Sequence, residues 1–454
     1  MDQTTAKLAD YATSLRYEDL TAEALRMTGK LLLDTIGCAI GGYHSEPARI
    51  ARRVASRKSG HPPVRVWGSE EMSSMDAAAF ANGVMVRYLD FNDTYMSVEV
   101  AHPSDAIPAI LAVAEARNAS GKAAIAAIVT MYEVFASFAD ACNLFNKGFD
   151  HGFYIALGAT AGIGNLLGLD RERMANAIAL TCAPNVPLRQ TRSGALTMWK
   201  GCAAPAAASA SITAIELALE GMTGPSAIFE GRHGVFDQVT GRFELAPFGG
   251  RGVPYAIERS GIKYFPTEYN SLVPLELILR LREKVSADDV ESIHVETYHF
   301  TYTEIGSEPE KWRPTTRETA DHSLPYMLAV ALSDGDISLA SFSEERIRDP
   351  RLPPLMDRIR ISENAEFTRK APNSMECRIE VKSRKGETFV EAGSYPKGHA
   401  KNPMSEAEVE AKFKKLCVGH LAEERRDALM KAVWRLQEER DVGDLTGLIV
   451  LDNR

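Results

Sequence analysis

Apolar side chains recur at helical spacing through most of the first 250 residues. In segment 19–40 they fall three or four positions apart, which is the spacing of one helix face. Thr21 can cap this helix, and Gly41-Gly42 follows its last apolar position. The same pattern continues in segments 106–117, 122–142 and 201–220, the last of which is rich in Ala, Ser and Gly. The pattern predicts a large all-α domain, in which small residues let helices approach closely.

The pattern changes after about residue 260. Segments 290–298 and 375–381 alternate apolar and polar positions, as half-buried strands do. Further strands are predicted at 358–361 and, after a turn at 384–387, at 388–392, and helices near 271–285 and 317–333. From Ser405 onward the spacing is helical again. We therefore expect a mainly α protein with two domains: a large all-α helical domain (1–259 with 396–454) and a smaller α+β lid domain (260–395).

Composition narrows the class of protein. The 454 residues carry a formal net charge of −9, which is not the basic balance of a nucleic-acid binder. The six Cys form no Cys-x-x-Cys motif and suit reduced thiols. The N-terminal residues resemble neither a signal nor a transit peptide. The longest uncharged segment, 152–169, is better explained as a buried core helix, and the next two are too short for a membrane span. We expect a cytoplasmic protein that binds neither nucleic acid nor membrane.

Several polar clusters could carry chemistry, although nucleotide, zinc, calcium and serine-hydrolase motifs are missing from the sequence. The densest cluster spans 88–105 and contains Asp90, Thr94 and His102. His102 precedes a predicted helix, where an imidazole that titrates near neutral pH can transfer protons. A capped turn with a solvated His explains the same residues, and both interpretations stay open.

Four other short segments offer similar residues. His151 follows Asp150, and Lys200 precedes the small-residue helix, where backbone N–H groups and a lysine could hold an anion. Lys263 lies at the predicted domain boundary. His322 and Tyr326 lie near the start of another predicted helix, where Tyr326 could donate a proton or simply be a half-buried aromatic residue. Two Lys and three His would suit a carboxylate substrate, but solvated loops explain each residue taken alone.

Taken together, the order of these segments resembles the MmgE/PrpD family, which includes 2-methylcitrate dehydratase, cis-aconitate decarboxylase and iminodisuccinate epimerase. The resemblance covers nearly the whole chain. Its motifs are Leu33-Asp-Thr-Ile-Gly-Cys38, Ala81-Asn-Gly83, Leu89-Asp-Phe-Asn-Asp-Thr94 with His102-Pro-Ser104, Asp150-His151, Met198-Trp-Lys-Gly201, Lys263-Tyr-Phe-Pro266, Asp321-His-Ser-Leu-Pro-Tyr326 and Lys397-Gly-His399. Each motif is weak alone, whereas their order and spacing together are specific.

The resemblance implies an active site between a large helical domain and a smaller lid, in a homodimer that needs no metal or organic cofactor. Carried over by position, the site residues of the family are Asp90, Thr94, His102, His151, Lys200, Lys263 and Tyr326. Lysines would stabilise the charge that builds when an α-proton leaves a carboxylate substrate. His102 or His151 would be the general base and the other the acid, with Tyr326 a second donor and Asp90 an orienting group. Asn270 and His322 are further candidates for substrate binding.

The same site residues would suit more than one reaction. The leading hypothesis is a hydro-lyase acting on a small di- or tricarboxylate, similar to 2-methylcitrate dehydratase. The alternatives are an epimerase or isomerase of an imino- or amino-dicarboxylate, a cis-aconitate decarboxylase, and a carboxylate-binding protein without catalysis. In dehydratase-like members a His and a Gln stand where this chain has Asn270 and Leu272. If these positions touch the substrate, that substrate differs from 2-methylcitrate.

Overall fold

The structure is a computed structural model that describes residues 1–452, so Asn453 and Arg454, the end of the predicted segment 396–454, lie outside the described residues. As expected, the chain is mainly helical. It forms two compact units. The first comprises Met1–Thr191, Gly201–Gly261 and the segment from Ser405, and the second comprises Arg192–Lys200 and Ile262–Met404.

The first unit is built mainly on helices, several of which are long and apolar. Their bounds before residue 260 are Gln3–Ser14, Ala22–Gly42, Glu46–Ala55, Met75–Tyr88, Ile107–Ala116, Gly121–Ala139, Gly152–Leu166, Arg171–Cys182 and Ala203–Leu219. Helix Gly152–Leu166 packs between its neighbours Gly121–Ala139 and Ala203–Leu219. A Cβ atom at Gly162 would lie 2.6 Å from the carbonyl oxygen of Ala127. Glycine therefore permits the close helix contact that the small-residue pattern predicts.

The first unit is not purely helical, which corrects the all-α expectation. Val64–Arg65 pairs with Met72–Ser73, and Thr94–Met96 lies between Val100–Ala101 and Ser260–Gly261 in an antiparallel sheet. These strands are two or three residues long, so they are too short to show a period-two alternation. The pairing of Ser260–Gly261 also places those two residues in the first unit, beyond the boundary predicted at 259.

One helix among the described residues, Gly121–Ala139, is long and apolar enough to cross a membrane. Its apolar window is 83% buried inside the protein, as in the core helix of a globular domain.

The second unit contains a four-stranded sheet in the order Ile359–Glu363, Val290–Thr297, Cys377–Ser383 and Thr388–Gly393. The first pair is parallel and the other two pairs are antiparallel. All four predicted strands are confirmed. The helices of this unit are Leu272–Arg282, His299–Thr301, Arg317–Ala320, Leu324–Asp334, Glu344–Ile347, Leu352–Met356 and Ala365–Lys370. Helix Leu272–Arg282 packs against the last two strands.

The second unit includes segments 192–200 and 396–404, which the sequence analysis assigned to the first domain. The backbone explains the second of these. Ile262 N–H donates to the carbonyl of Gly398 at 2.9 Å, and a Cβ atom at Gly398 would lie 1.8 Å from the Ile262 oxygen. With φ at +90°, position 398 requires glycine, and the contact holds the residue that precedes Lys263.

The helices Glu406–Cys417, Glu423–Trp434 and Val442–Gly447 return to the first unit, as the helical spacing after Ser405 predicts. Lys412 ties the first of them to the polar segment that contains Asp90. Its buried Nζ atom lies 2.6 Å from Asp34 Oδ1 and donates to the carbonyl of Phe91 at 2.6 Å. The C-terminal helices thus help to fix the backbone beside Asp90.

Candidate active site

A buried ionic cluster holds the polar segment of the first unit in place. Arg87, in the last turn of helix Met75–Tyr88, forms an ion pair with Asp90, and its Nε atom lies 3.4 Å from Asp105 Oδ2. All three side chains are almost fully buried. Asp90 has a φ of +50°, a left-handed conformation that is costly for most residues. The Arg87 cluster, Arg87 with Asp90 and Asp105, therefore stabilises an unusual turn next to His102.

The backbone fixes the tautomer of His102. Its Nδ1 atom lies 2.5 Å from the carbonyl oxygen of Asp93, which can only accept, so Nδ1 carries the proton. The hydroxyl of Thr94 lies 3.3 Å from the same nitrogen. In the neutral ring Nε2 then has the lone pair, and this atom lies 3.9 Å from Asp90 Oδ1. His102 is thus oriented as a proton acceptor, with a carboxylate placed to stabilise the imidazolium that would form.

His151 lies beside His102. It directly precedes helix Gly152–Leu166, and the two ring centroids are 6.1 Å apart in an edge-to-face arrangement. Asp150 accepts from the backbone N–H of Gly152 at 2.9 Å, so its carboxylate stabilises the N-terminus of this helix. The first unit brings together four predicted residues: Asp90, Thr94, His102 and His151.

Asp93, whose carbonyl contacts His102, also has a buried carboxyl group and was not among the predicted site residues. Asp93 accepts from the backbone N–H of Ser104 at 3.2 Å and from the hydroxyl of Tyr132 at 2.7 Å. Burial raises the pKa of Asp93 to about 7, although both hydrogen bonds act in the opposite direction. Asp93 belongs to the polar segment 88–105. Its partner Tyr132 is 39 positions away along the chain, and no sequence pattern connects the two residues.

We expect Asp93→Asn to change how stability depends on pH. The carboxyl has a pKa of about 7 in the folded chain and near 3.8 when unfolded, so the folded state binds more protons between these values. Asp93 therefore lowers the free energy of unfolding as pH rises through this window, by up to about 1.4 kcal/mol per pH unit. Urea unfolding at pH 5, 6 and 7 should show a shallower decline for the variant. Parallel curves for the two proteins would contradict the raised pKa.

The second unit brings Lys200 and His322 together around Asp321. Lys200 Nζ lies 3.3 Å from Asp321 Oδ1 and 3.3 Å from His322 Nδ1, and His322 Nδ1 lies 2.7 Å from the same carboxylate oxygen. Lys200 and Asp321 are buried. This contact explains why segment 192–200 belongs to the second unit. Asp321 and His322 have the donor atoms of metal ligands, but the ammonium of Lys200 beside them opposes a cation.

Lys263 is fully buried and donates to the carbonyl of Thr267 at 3.0 Å. Asn270 is held on both sides of its amide: it donates to Glu268 at 2.6 Å, and its oxygen accepts from the hydroxyl of Tyr298. Leu272 is buried at the start of its helix. Asn270 and Leu272, where this chain departs from the dehydratase motif, are thus both buried. That Asn270 binds substrate stays a prediction.

Tyr326 does not join the cluster around Asp321. Its hydroxyl donates to the carbonyl of Ser341 at 2.6 Å, and burial raises the pKa of this hydroxyl above its ordinary value. The geometry agrees with the alternative interpretation of a buried aromatic residue with a satisfied hydroxyl.

Lys311 is a buried lysine that the sequence analysis missed. Burial and, to a smaller extent, the positive charge of Lys200 lower the pKa of Lys311, while Glu308, 3.6 Å away, opposes this effect. The carbonyl of Lys311 accepts from the hydroxyl of Ser323, two positions after Asp321. Lys311 follows Glu308 and Glu310 closely, and no apolar periodicity marks its position as buried.

Comparison with known proteins agrees with these observations. A family model described as the MmgE/PrpD N-terminal domain matches residues 6–247, and one described as the MmgE/PrpD C-terminal domain matches residues 265–436.

Individual relatives match over most of their length. A 2-methylcitrate dehydratase from Salmonella typhimurium is 30% identical over 437 residues, which cover 88% of this chain and 86% of the relative. A mitochondrial 2-methylcitrate dehydratase from Yarrowia lipolytica is 27% identical, with 88% and 80% covered. Human cis-aconitate decarboxylase is 25% identical, with 98% and 94% covered. The chain therefore belongs to the MmgE/PrpD family and is a lyase of the MmgE/PrpD type.

Proposed function

We propose that this chain is a hydro-lyase that removes water from 2-methylcitrate or a closely similar tricarboxylate. The observation that carries the proposal is the orientation of His102, whose protonated Nδ1 faces the Asp93 carbonyl and leaves Nε2 as a base. The dehydratase names of the relatives support the substrate class.

In the proposed reaction His102 Nε2 takes the proton from the carbon next to a substrate carboxylate. The electron pair of that C–H bond forms the new C=C bond as the neighbouring C–O bond breaks. The departing hydroxyl takes a proton from His151 and leaves as water. Asp90 stabilises the imidazolium of His102, which lies 3.9 Å from its carboxylate.

The lysines of the second unit supply positive charge. Removal of an α-proton moves negative charge onto the substrate carboxylate, and buried cations stabilise this charge strongly because little water screens them. Lys200 and Lys263 are both buried and are the proposed carboxylate partners. In this proposal the smaller α+β unit that carries them serves as the lid domain implied by the family resemblance.

A second candidate reaction is decarboxylation of cis-aconitate. The human decarboxylase matches 98% of this chain, a larger share than the dehydratases cover. The same base and cations would serve an enol-like intermediate formed when carbon dioxide leaves. The two reactions differ in the bond that breaks, so product analysis separates them.

The proposal is tested by proton NMR of the purified chain in deuterated water with 2-methylcitrate, citrate, cis-aconitate and iminodisuccinate. We expect the methyl doublet of 2-methylcitrate to become the singlet of a methyl group on a double bond. Itaconate from cis-aconitate would establish the decarboxylase instead. Exchange of an α-proton with the carbon skeleton unchanged would indicate an epimerase. Unchanged spectra for all four compounds would contradict the proposal.

A further inference from the structure

The hydroxyl of Tyr132 holds one side of the buried Asp93 carboxyl. Tyr132 lies in helix Gly121–Ala139, and its hydroxyl donates to Asp93 Oδ2 at 2.7 Å. The other carboxyl oxygen, Oδ1, accepts from the backbone N–H of Ser104 at 3.2 Å. All three residues are fully buried. A core helix and the turn that follows His102 therefore fix both oxygens of this carboxyl.

The backbone carbonyl of Asp93 competes with the Asp90 carboxylate for the proton of the neutral His102 ring. The carbonyl, 2.5 Å from Nδ1, favours a proton on Nδ1. The carboxylate, which also pairs with Arg87, lies 3.9 Å from Nε2 and favours a proton there. The Thr94 hydroxyl, 3.3 Å from Nδ1, can donate or accept and selects neither form. Since the carbonyl and the carboxyl of Asp93 share one Cα atom, bonds that hold the carboxyl also restrict the carbonyl.

A tyrosine suits the Asp93 carboxyl in either protonation state. Its hydroxyl can donate to a carboxylate oxygen or accept from a protonated carboxyl, so the bond persists when Asp93 gains a proton. Phenylalanine can do neither, and a buried carboxyl without its partner is unfavourable. We therefore expect the carboxyl to move when the hydroxyl is removed, and the carbonyl to move with it.

We propose that Tyr132 is a positioning residue of the lyase: it holds the Asp93 carboxyl, and through it the carbonyl that keeps the His102 proton on Nδ1. For its effect on turnover this inference rests on the proposed function, in which His102 is the base. Its structural part, the tautomer of His102, is independent of any substrate. Tyr132 acts through Asp93 and His102 and needs no contact with the substrate.

The catalytic part is tested with Tyr132→Phe, which removes one oxygen atom and keeps the ring. We expect kcat to fall by about 10²-fold, as when a catalytic group is displaced, and KM to stay within about twofold. Tyr255→Phe is the matched control, because Tyr255 is fully buried in the same unit and its hydroxyl donates to the carbonyl of Asp19 at 2.9 Å. It should keep kcat within about twofold of the wild-type value. Equal kcat values for the two variants would overturn the proposal.

The structural part is tested without turnover by ¹⁵N NMR of histidine-labelled protein, with the His102 signals assigned from His102→Asn. In the wild type we expect the neutral ring to carry its proton on Nδ1, and in Tyr132→Phe a shift toward the Nε2-protonated form. An Nε2-protonated His102 in the wild type would overturn the proposal even if Tyr132→Phe failed to fold. An unchanged tautomer in a folded Tyr132→Phe would overturn it as well.

Asp93→Asn is the conservative variant for the same measurement. Its amide can accept from the Ser104 N–H through oxygen and donate to the Tyr132 hydroxyl through nitrogen, so we expect the His102 proton to stay on Nδ1. A shift as large as that in Tyr132→Phe would show that the charge of Asp93 sets the tautomer, and would overturn the proposal. The expected tautomers in a chain inactive on every tested carboxylate would support the structural part and contradict only the proposed function.

Discussion

Replacement of His102 by Asn is expected to lower kcat by about 10²–10⁴-fold without loss of the fold. The amide nitrogen of Asn can take the place of Nδ1 and donate to the Asp93 carbonyl, as the imidazole does at 2.5 Å. It offers no lone pair at the position of Nε2, so the α-proton has no base. Steady-state kinetics with 2-methylcitrate, with circular dichroism to confirm folding, measures the effect.

A suitable control for this prediction is His299→Asn, because His299 is an exposed histidine paired with Glu363. It should leave kcat within about twofold of the wild-type value, as expected for a surface substitution. If His102→Asn retained wild-type kcat, another group would be the base, and His151 would be the next residue to replace.

Replacement of Arg87 by Met is expected to lower the free energy of unfolding by about 3–5 kcal/mol. The Arg87 cluster has one cation between two buried carboxylates, so its loss leaves Asp90 and Asp105 without their shared counter-charge. Equilibrium urea unfolding at pH 7 measures the change. The loss should become smaller at acidic pH, because protonation removes the uncompensated charges.

The matched control is Arg313→Met, which removes a surface ion pair between Arg313 and Asp357 whose side chains are 51% and 63% exposed. Exposed pairs contribute about 0–1 kcal/mol, so this variant should be nearly as stable as the wild type. Equal losses for the two arginine variants would show that burial of the Arg87 cluster adds nothing to stability.

Periodicity predicted the long elements of the fold because apolar side chains recur at a regular spacing along each of them. Helix Ala22–Gly42 and strand Cys377–Ser383 both follow from spacing alone. The strands of two or three residues, such as Thr94–Met96, were not predicted, because so few positions cannot show an alternation of apolar and polar side chains. Segment 192–200 was assigned to the first domain, whereas it belongs to the second unit. Lys200 makes a buried contact with Asp321 there, and because the two residues are 121 positions apart in the sequence, no local pattern indicates the contact.

The candidate site was predictable where its residues lie in one motif. Asp90, Thr94 and His102 belong to one short segment, and the structure keeps them together. The partners that orient them were not predictable, because Tyr132 and Lys412 reach the segment from distant helices. The direction of side chains could not be predicted from the sequence either. The hydroxyl of Tyr326, a residue of one of the motifs, donates to a backbone carbonyl.

In the proposed reaction this chain eliminates water with His102 as the base. The most direct test is the ultraviolet absorbance of the conjugated double bond formed from 2-methylcitrate, with the wild type and His102→Asn assayed side by side. We expect the absorbance to grow at a saturable rate that is proportional to the concentration of the wild type and about 10²–10⁴-fold slower in the variant. No growth with the wild type, or equal rates for the two proteins, would contradict it.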